Sequence, residues 1–378
     1  MSSFSNVWTM GVEEEYQIID PSTQALANDA ECLLSSVEPL LTQNIQVQPE
    51  MQGSQIEIAT PICYTLAEVR STLVAARQTV INAATQLNRQ IAAMGTHPFS
   101  HWKDQPITAN ERYQKIEQRY QQLAYEQAIS GCHVHIGCED REMALQVTNR
   151  ARLWLAPLLA LSANSPFWLQ DDTGYDSFRT EIWWRWPMAG PPPHVSSLAE
   201  YNSRLQQLVK TDSITDSSHL YWDIRISERF PTIEFRVTDA CMTIDEAVMI
   251  TGLIRALVQT CYRQALQEQP YLNVSRDLLR VAHWRAARYG LNTDLVDIQA
   301  EHLVPAPELI ARMLAFLRPA LESSGAWEEV STLVHTTLVN GNGATRQRAI
   351  YRNTGSYRAV VDFIVRETAS GTVTTATA

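Results

Sequence analysis

MGVEEEY at Met10–Tyr16 and SQIEIATP at Ser54–Pro61 are the two stretches whose reading decides the fold. Three consecutive acids follow an apolar–Gly step, and a second acid-bearing, β-prone run lies further along the chain. If both are strands, successive side chains alternate between faces. Glu13 and Glu15 then share one face, Glu14 takes the other, and Glu57 sits beside the first pair on a neighbouring strand. Carboxylates gathered this way repel one another unless cations lie between them. Hard divalent ions such as Mg²⁺ or Mn²⁺ favour such oxygen cages, and Mg²⁺ commonly shares its shell with phosphates. The pattern points to phosphoryl chemistry. The competing reading is a solvated strand edge.

Working outward, Val7–Ile19 reads as a strand ending at Asp20-Pro21. Asp29–Leu41 reads as a helix, and Ile45–Thr60 as two extended runs broken near Gly53. Leu66–Ala93, with no internal Gly or Pro, reads as one long amphipathic helix. Glu111–Glu126 is helical, Gly131–Cys138 (GCHVHIGC) is a strand, and Glu142–Ser162 is a helix that Pro157 should kink or restart. Residues 163–200 carry four tryptophans and a Pro191-Pro192-Pro193 run, which suggests an ordered functional loop or lid. Helix resumes at Ser197–Lys210. Strands follow at His219–Ile226 and Thr232–Val237, and helices at Asp245–Gln267 and Leu303–Leu321. No repeat or linker divides the chain, so residues 1–367 are expected to form one catalytic domain, with 368–378 a disordered tail. The mixed order, without regular βαβ units, favours α+β with a largely antiparallel sheet as the catalytic platform.

The 378 residues suffice for a substantial core, and 45% hydrophobic with 19% charged residues is ordinary globular composition. A formal charge of −11 leaves no basic stripe for nucleic acid. Lysine is confined to Lys103, Lys115 and Lys210, so any anion clamp must use arginine. The six cysteines are dispersed and form no CxxC pair. With no leader-like or membrane-length apolar run, the expectation is a cytoplasmic protein with reduced thiols.

Further constellations carry chemistry. His133 and His135 share a strand face, where imidazole can complete a carboxylate metal shell or bind phosphate. TIEFRVT at Thr232–Thr238 projects Glu234 and Arg236 together, either as a surface ion pair or as a metal ligand beside a phosphate clamp. Arg179 and Arg185, in FRTEIWWR, could hold a substrate carboxylate. Arg346 and Arg348 follow a Gly/Asn turn that could approach an anion or simply be solvated. HWRAARYG, with His283, Arg285 and Arg288, reads as a helix with a basic face. Walker, Rossmann, GxSxG and HEXXH motifs are absent. Cys132 and His133 are strand neighbours on opposite faces, which excludes their mutual activation.

Taken in order, MGVEEEYQIID, SQIEIATP, GCHVHIG, FRTEIWWRWP, WDIRISERFPTIEFRVTDA and HWRAARYG resemble the carboxylate–amine ligases of the type 2 glutamate–cysteine ligase family, from about Val7 to about Arg366. The resemblance implies a glutamine-synthetase-like fold, in which a curved antiparallel sheet forms a funnel for ATP and divalent metals, Mg²⁺ or Mn²⁺. It implies ATP-dependent amide formation through an acyl phosphate, with glutamate and cysteine as the default pair. It assigns Glu13, Glu15, Glu50, Glu57, His133 and Glu234 to metal. Arg236 is assigned to the transferring phosphate and Arg179, with Arg185 close behind, to the acid substrate. Glu234, Arg236 and Arg179 are thus the catalytic candidates, and Arg179, Arg185, His135 and Arg236 the substrate or ATP ligands, to which the Gly/Asn turn adds Arg346. The implied partners are small molecules, with a homo-oligomer as a further expectation. Alternatives are a different amine or acid within the family, a metal-dependent phosphotransferase, and a non-catalytic nucleotide-binding module.

Overall fold

The computed structural model describes residues 8–42 and 44–372. Its centre is a seven-stranded antiparallel sheet of β1 (Met10–Ile19), β2 (Gln46–Pro49), β3 (Gln55–Ala59), β4 (Gln90–Ala92), β5 (Gly131–Gly137), β6 (Ile224–Ile226) and β7 (Thr232–Asp239). The strand order is β2-β3-β1-β5-β7-β6, and β4 pairs with the C-terminal end of β1. The sheet is open, and together with its flanking helices it makes the expected α+β architecture.

Alternation along the strands separates two faces. Tyr16, Ile18, Ile56, Ile58, Val134, Ile136, Ile233 and Phe235 are fully buried on one of them. Helices Leu66–Gln86 and Ile244–Leu266 pack there, the second opened by a Thr243/Glu246 capping box. Burial of this apolar surface is the main stabilising term. Glu14 also points to this side. Its carboxylate accepts from the fully buried Arg77, with Nε at 3.0 Å. Arg77 also donates to the carbonyls of Cys241 and Met242, both at 2.9 Å, and of Thr368 at 3.2 Å. Both charges are therefore paired and hydrogen-bonded, as burial demands.

The helix expected over 66–93 ends at Gln86. Leu87 caps it, Asn88 takes the left-handed conformation (φ 53°), and the chain returns as β4 against β1. Asn tolerates that conformation and stops a helix without Gly or Pro. The helix expected from Leu303 starts at Ala306, because His302–Pro305 pairs with Asp294–Asp297 instead. The segment around Pro157 does restart, as helix Leu155–Ser162. Of the tail expected from 368 onward, Thr368 is buried at the end of helix Tyr357–Thr368, and its hydroxyl accepts from Ala93 N at 2.9 Å. Residues 373–378 lie outside the described residues, as does Val7 of the first strand. No helix among the described residues is long and apolar enough to cross a membrane.

Candidate active site

The face opposite the helices is polar because of register. Glu15 stands across from Glu57, which stands across from Gln48. Glu13 stands across from His133. His135 stands across from Glu234, which stands across from Arg225. An irregularity in the β5–β7 pairing between Cys132 and Val134 shifts the register beside His133, where Arg236 enters the same side. Residues far apart in sequence thus line one cleft of about 540 Å³. Gly131 leaves room for both side chains: a Cβ there would lie 2.9 Å from Arg179 Cζ and 3.1 Å from His133 Nε2.

Glu13 bridges the imidazoles, 3.2 Å from His133 Nδ1 and 3.3 Å from His135 Nε2. Glu15 accepts from Gly131 N at 2.6 Å and lies 3.6 Å from His133 Nε2. Glu234 takes a two-pronged grip from Arg225 (2.8 and 3.1 Å) and a further bond from Arg236. Glu57 accepts from Gln48. His133 Nε2 and His135 Nε2 are buried without a hydrogen-bond partner among the described residues.

Charge is unevenly matched across the cleft. Burial pushes the Glu50 carboxyl up to about 8, with Glu15 adding repulsion. Burial also raises Glu57 well above the carboxylate range, reinforced by Glu13 and Glu50, and it raises Glu15 against the pull of Arg179. For Glu234, burial is outweighed by Arg236 and Arg225, which hold the group ionised. The hydrogen bond from His133 and the nearby His135 imidazole do the same for Glu13 against its burial. His133 is lowered to about 4 by burial and by Arg236, so its ring is neutral at pH 7. The acids are therefore under-neutralised on the β1–β3 side and neutralised by arginine on the β7 side.

Two groupings have the chemistry of a divalent-cation site: Glu13–His133–Glu234 and Glu15–Glu57–His133. Within each, one ligand atom per residue lies within 4.8 Å of the others. Carboxylate oxygens with a neutral imidazole, unpaired ring nitrogens and mutually raised acids fit Mg²⁺ or Mn²⁺. Glu50 lines the cleft but belongs to neither grouping, and its carboxylate accepts from Met51 N at 3.2 Å. His135 Nδ1 is 2.9 Å from the Thr232 hydroxyl.

Arg179 is buried on the cleft wall, 4.0 Å from Asp239, with its guanidinium 6.0 Å from the Trp183 ring. Asp239 is itself fixed by Asn164 N and by the hydroxyls of Ser165 and Ser177. Arg185 is not brought into the cleft. It sits just past the end of the short helix Phe178–Trp183, is exposed, and pairs with Glu126. Arg346 is also elsewhere: Glu246 and Glu367 hold its guanidinium beside a separate pocket. Arg348 serves Asp172 and Asp176, and His283 is buried against Asp223 at 3.1 Å. The segment 163–200 supplies wall, with Trp183 and Trp186 lining the cleft. Sequence reading missed Arg225. Hairpin pairing about Arg229-Phe230 sets position 225 opposite 234, a register that only the paired strands reveal.

The architecture has solved counterparts. A bifunctional glutathione synthetase from Pasteurella multocida superposes with a TM-score of 0.68 at 16% identity, over 96% of this chain and 51% of that longer one. Glutamate–cysteine ligase from Francisella tularensis, solved with AMP, superposes with a TM-score of 0.66 at 12% identity, over 96% and 89% of the two chains. The fold is that of the glutamine-synthetase-like ligases. Sequence narrows the class. Residues 9–367 match the model of glutamate–cysteine ligase family 2, and this chain belongs to that family, which makes it an ATP-dependent carbon–nitrogen ligase. A relative from Rhodopirellula baltica, named "Putative glutamate--cysteine ligase 2", is 41% identical over 363 residues, 95% of this chain and 96% of its own.

Proposed function

We propose that the chain joins glutamate to cysteine, giving γ-glutamylcysteine, ADP and phosphate. A γ-carboxylate oxygen of glutamate attacks the γ-phosphorus of ATP, and the bond to the β-phosphate oxygen breaks. The cysteine amine then attacks the acyl carbon, and the tetrahedral adduct expels phosphate as the amine gives up its proton. Arg236, charged throughout, sits where it can stabilise negative charge on the transferring group without proton transfer. Arg179 holds the acid substrate, so that nucleophile and phosphorus meet as neighbours rather than by diffusion. Arg225 and Arg236 together keep Glu234 ionised.

Glu13, Glu15, Glu57, Glu234 and His133 would hold the divalent cations, with Glu50 behind them. When bound, such cations neutralise phosphate oxygens and draw nucleophile and phosphoryl group into line. The observation that carries this reading is the convergence of acids from β1, β3 and β7, with His133 and Arg236, on one face inside one cleft. The test is an amine screen with ATP, Mg²⁺ and glutamate, following phosphate release and identifying the product by mass. Cysteine-dependent phosphate release with a γ-glutamylcysteine mass supports the pairing. Phosphate release with another amine reassigns the acceptor. ADP formation with a stable phosphorylated product would instead favour a phosphotransferase.

A further inference from the structure

The HWRAARYG motif at His283–Gly290 lies outside the cleft, yet its histidine meets a buried charge that belongs to the cleft's edge. Helix Arg276–Tyr289 turns Leu279, Ala282, Ala286 and Ala287 to the interior, all fully buried. His283 shares that face, with Nδ1 3.1 Å from Asp223 Oδ2. Asp223 is 2% exposed, and among the described residues His283 is the one basic side chain that meets its carboxylate. A carboxylate buried without a partner is costly, and here the imidazole removes that cost. Trp184 completes the group: its ring stacks on His283 at 6.0 Å and 29°, with Nε1 3.5 Å from Asp223 Oδ1.

Asp223 matters because of its place in the sheet. It immediately precedes β6, which has only three residues and stands last in the strand order. Its backbone carbonyl accepts from Arg236 N at 2.8 Å, one step beyond the β6–β7 ladder, and its own N–H donates to Gly190 O at 3.0 Å. Two residues on, Arg225 grips Glu234. So short an edge has few ladder bonds to hold it and is prone to open locally. The Asp223 side chain ties it to a buried helix. Trp183, next to the stacked Trp184, supports the Arg236 guanidinium 5.4 Å from its ring centre. One turn along the same helix, Ala287 O accepts from Asp176 N and Ser177 N at 2.8 and 2.9 Å, and the Ser177 hydroxyl donates to Asp239 beside Arg179. One helix therefore braces the supports of both cleft arginines.

We propose that His283 is a positioning residue for phosphoryl transfer. It pins Asp223, and through the Asp223 carbonyl it pins the backbone of Arg236, so that the guanidinium meets the transferring phosphate at a fixed place. The proposal rests on the ligase reading above and makes the HWRAARYG helix the mount of its phosphate clamp. A cation stabilises developing charge best when it is in place beforehand. A displacement of about 1 Å, caused far from the chemistry, can cost about 10²-fold in rate.

The experiment uses the full chain. His283→Leu removes the donor, His283→Gln fills the space with its amide one methylene further out, and His283→Asn keeps an N–H at the place of Nδ1. Two quantities are read. One is kcat for phosphate release from ATP with Mg²⁺, glutamate and cysteine. The other, by calorimetry with Mg²⁺, is the ratio of affinities for the β,γ-imido analogue of ATP and for ADP, which isolates the contact to the γ-phosphate. His283→Leu and His283→Gln should lower kcat by about tenfold to a hundredfold with KM for glutamate nearly unchanged. Both should shrink the affinity ratio severalfold and leave ADP binding alone, and His283→Asn should recover most of each loss. In an Arg236→Met background, His283→Leu should add less than about threefold, because the residue it acts through is already gone. Should His283→Leu fail to fold, the Gln and Asn variants carry the same comparison. Unchanged kcat and ratio, fully additive losses in the double variant, or a parallel loss of both nucleotides with a fall in Tm would make His283 a core residue and overturn the proposal. A wild type that turns over no acid and amine sinks the ligase reading instead, and the affinity ratio then decides the positioning by itself.

Discussion

Glu13, Glu14 and Glu15 are neighbours in sequence, and the sheet divides them between two regions with opposite electrostatics. On the helix side, Glu14 accepts from Arg77 and from the Tyr16 hydroxyl, and Arg77 spends its remaining donors on backbone carbonyls. On the cleft side, Glu13 and Glu15 meet Glu57, Glu50 and two imidazoles, with arginine concentrated at the far edge. One region is charge-balanced and closed. The other is short of positive charge, an arrangement that folding alone does not favour and that a cationic ligand would relieve.

The sharpest way to break this contrast is Arg77→Met. It strands the Glu14 carboxylate in the core, and losing one partner of a buried pair costs about 3–5 kcal/mol. Denaturant titration should show a loss of that size, with little structure left to assay. Arg236→Met is the matched change on the cleft side. Glu234 keeps Arg225, so the stability loss should be clearly smaller, while kcat should fall by about 10²–10³-fold through lost charge stabilisation. Equal stability losses at the two positions would remove the distinction between the faces.

A second test reverses the usual sign of mutation. Glu57 is repelled by Glu13, Glu50 and Glu15. Glu57→Gln should therefore leave the metal-free protein at least as stable as wild type while removing turnover. It should also remove most of the rise in Tm that Mg²⁺ or Mn²⁺ gives the wild type. A variant as strongly stabilised by divalent ions as wild type would show that Glu57 is not a ligand.

The pH dependence follows from the same imbalance. The Glu50 carboxyl is raised to about 8 in the folded state, above its unfolded value, so the folded protein holds a proton that the unfolded chain releases. Stability from this group is fully present below the ordinary carboxylate range and is lost as pH rises through about 8. Glu57 and Glu15 shift in the same direction. His133 and His97, both lowered by burial, give the opposite slope below about pH 6.5, so metal-free Tm should fall by about a few degrees from there to pH 8, and saturating Mg²⁺ should flatten the slope. A metal-free Tm that climbs across this interval would contradict the raised carboxyls.

The floor of the cleft was legible in the sequence because period-2 alternation is a local rule. EEEY and IEIA fix which acids share a face, and HVH and EFR do the same for the histidines and for Glu234 with Arg236. Inter-strand partners were not legible, because register depends on hairpins and on the β5–β7 irregularity. Arg225 was passed over for that reason. Arg185 and Arg346 were misplaced for another. An arginine near a suggestive motif has a long side chain, and nearby acids captured both: Glu126 in one case, Glu246 and Glu367 in the other. The end of helix Leu66–Gln86 was missed because Asn88, not Gly or Pro, supplies the left-handed turn.

The smallest effect is expected at the seam between the two kinds of charge. Arg225 grips both oxygens of Glu234 and, through Nη1, ties it to the carbonyls of Ser218 and Leu220 at 2.8 and 2.9 Å. It therefore acts as a positioning residue, aiming a carboxylate that otherwise has only Arg236 as a side-chain hydrogen-bond donor among the described residues. Arg225→Lys keeps the charge and loses the fork, and a fork is not replaceable by a point charge. Glu234 then leans more heavily on Arg236, the group needed at the phosphate. The expected result is a drop in kcat/KM of about tenfold, one charge-assisted hydrogen bond's worth, with the apparent affinity for Mn²⁺ changed in direct titration and Tm nearly unmoved. A merely structural role would lower Tm and leave Mn²⁺ affinity alone, and that outcome would assign Arg225 to the scaffold with Arg77 rather than to the cleft.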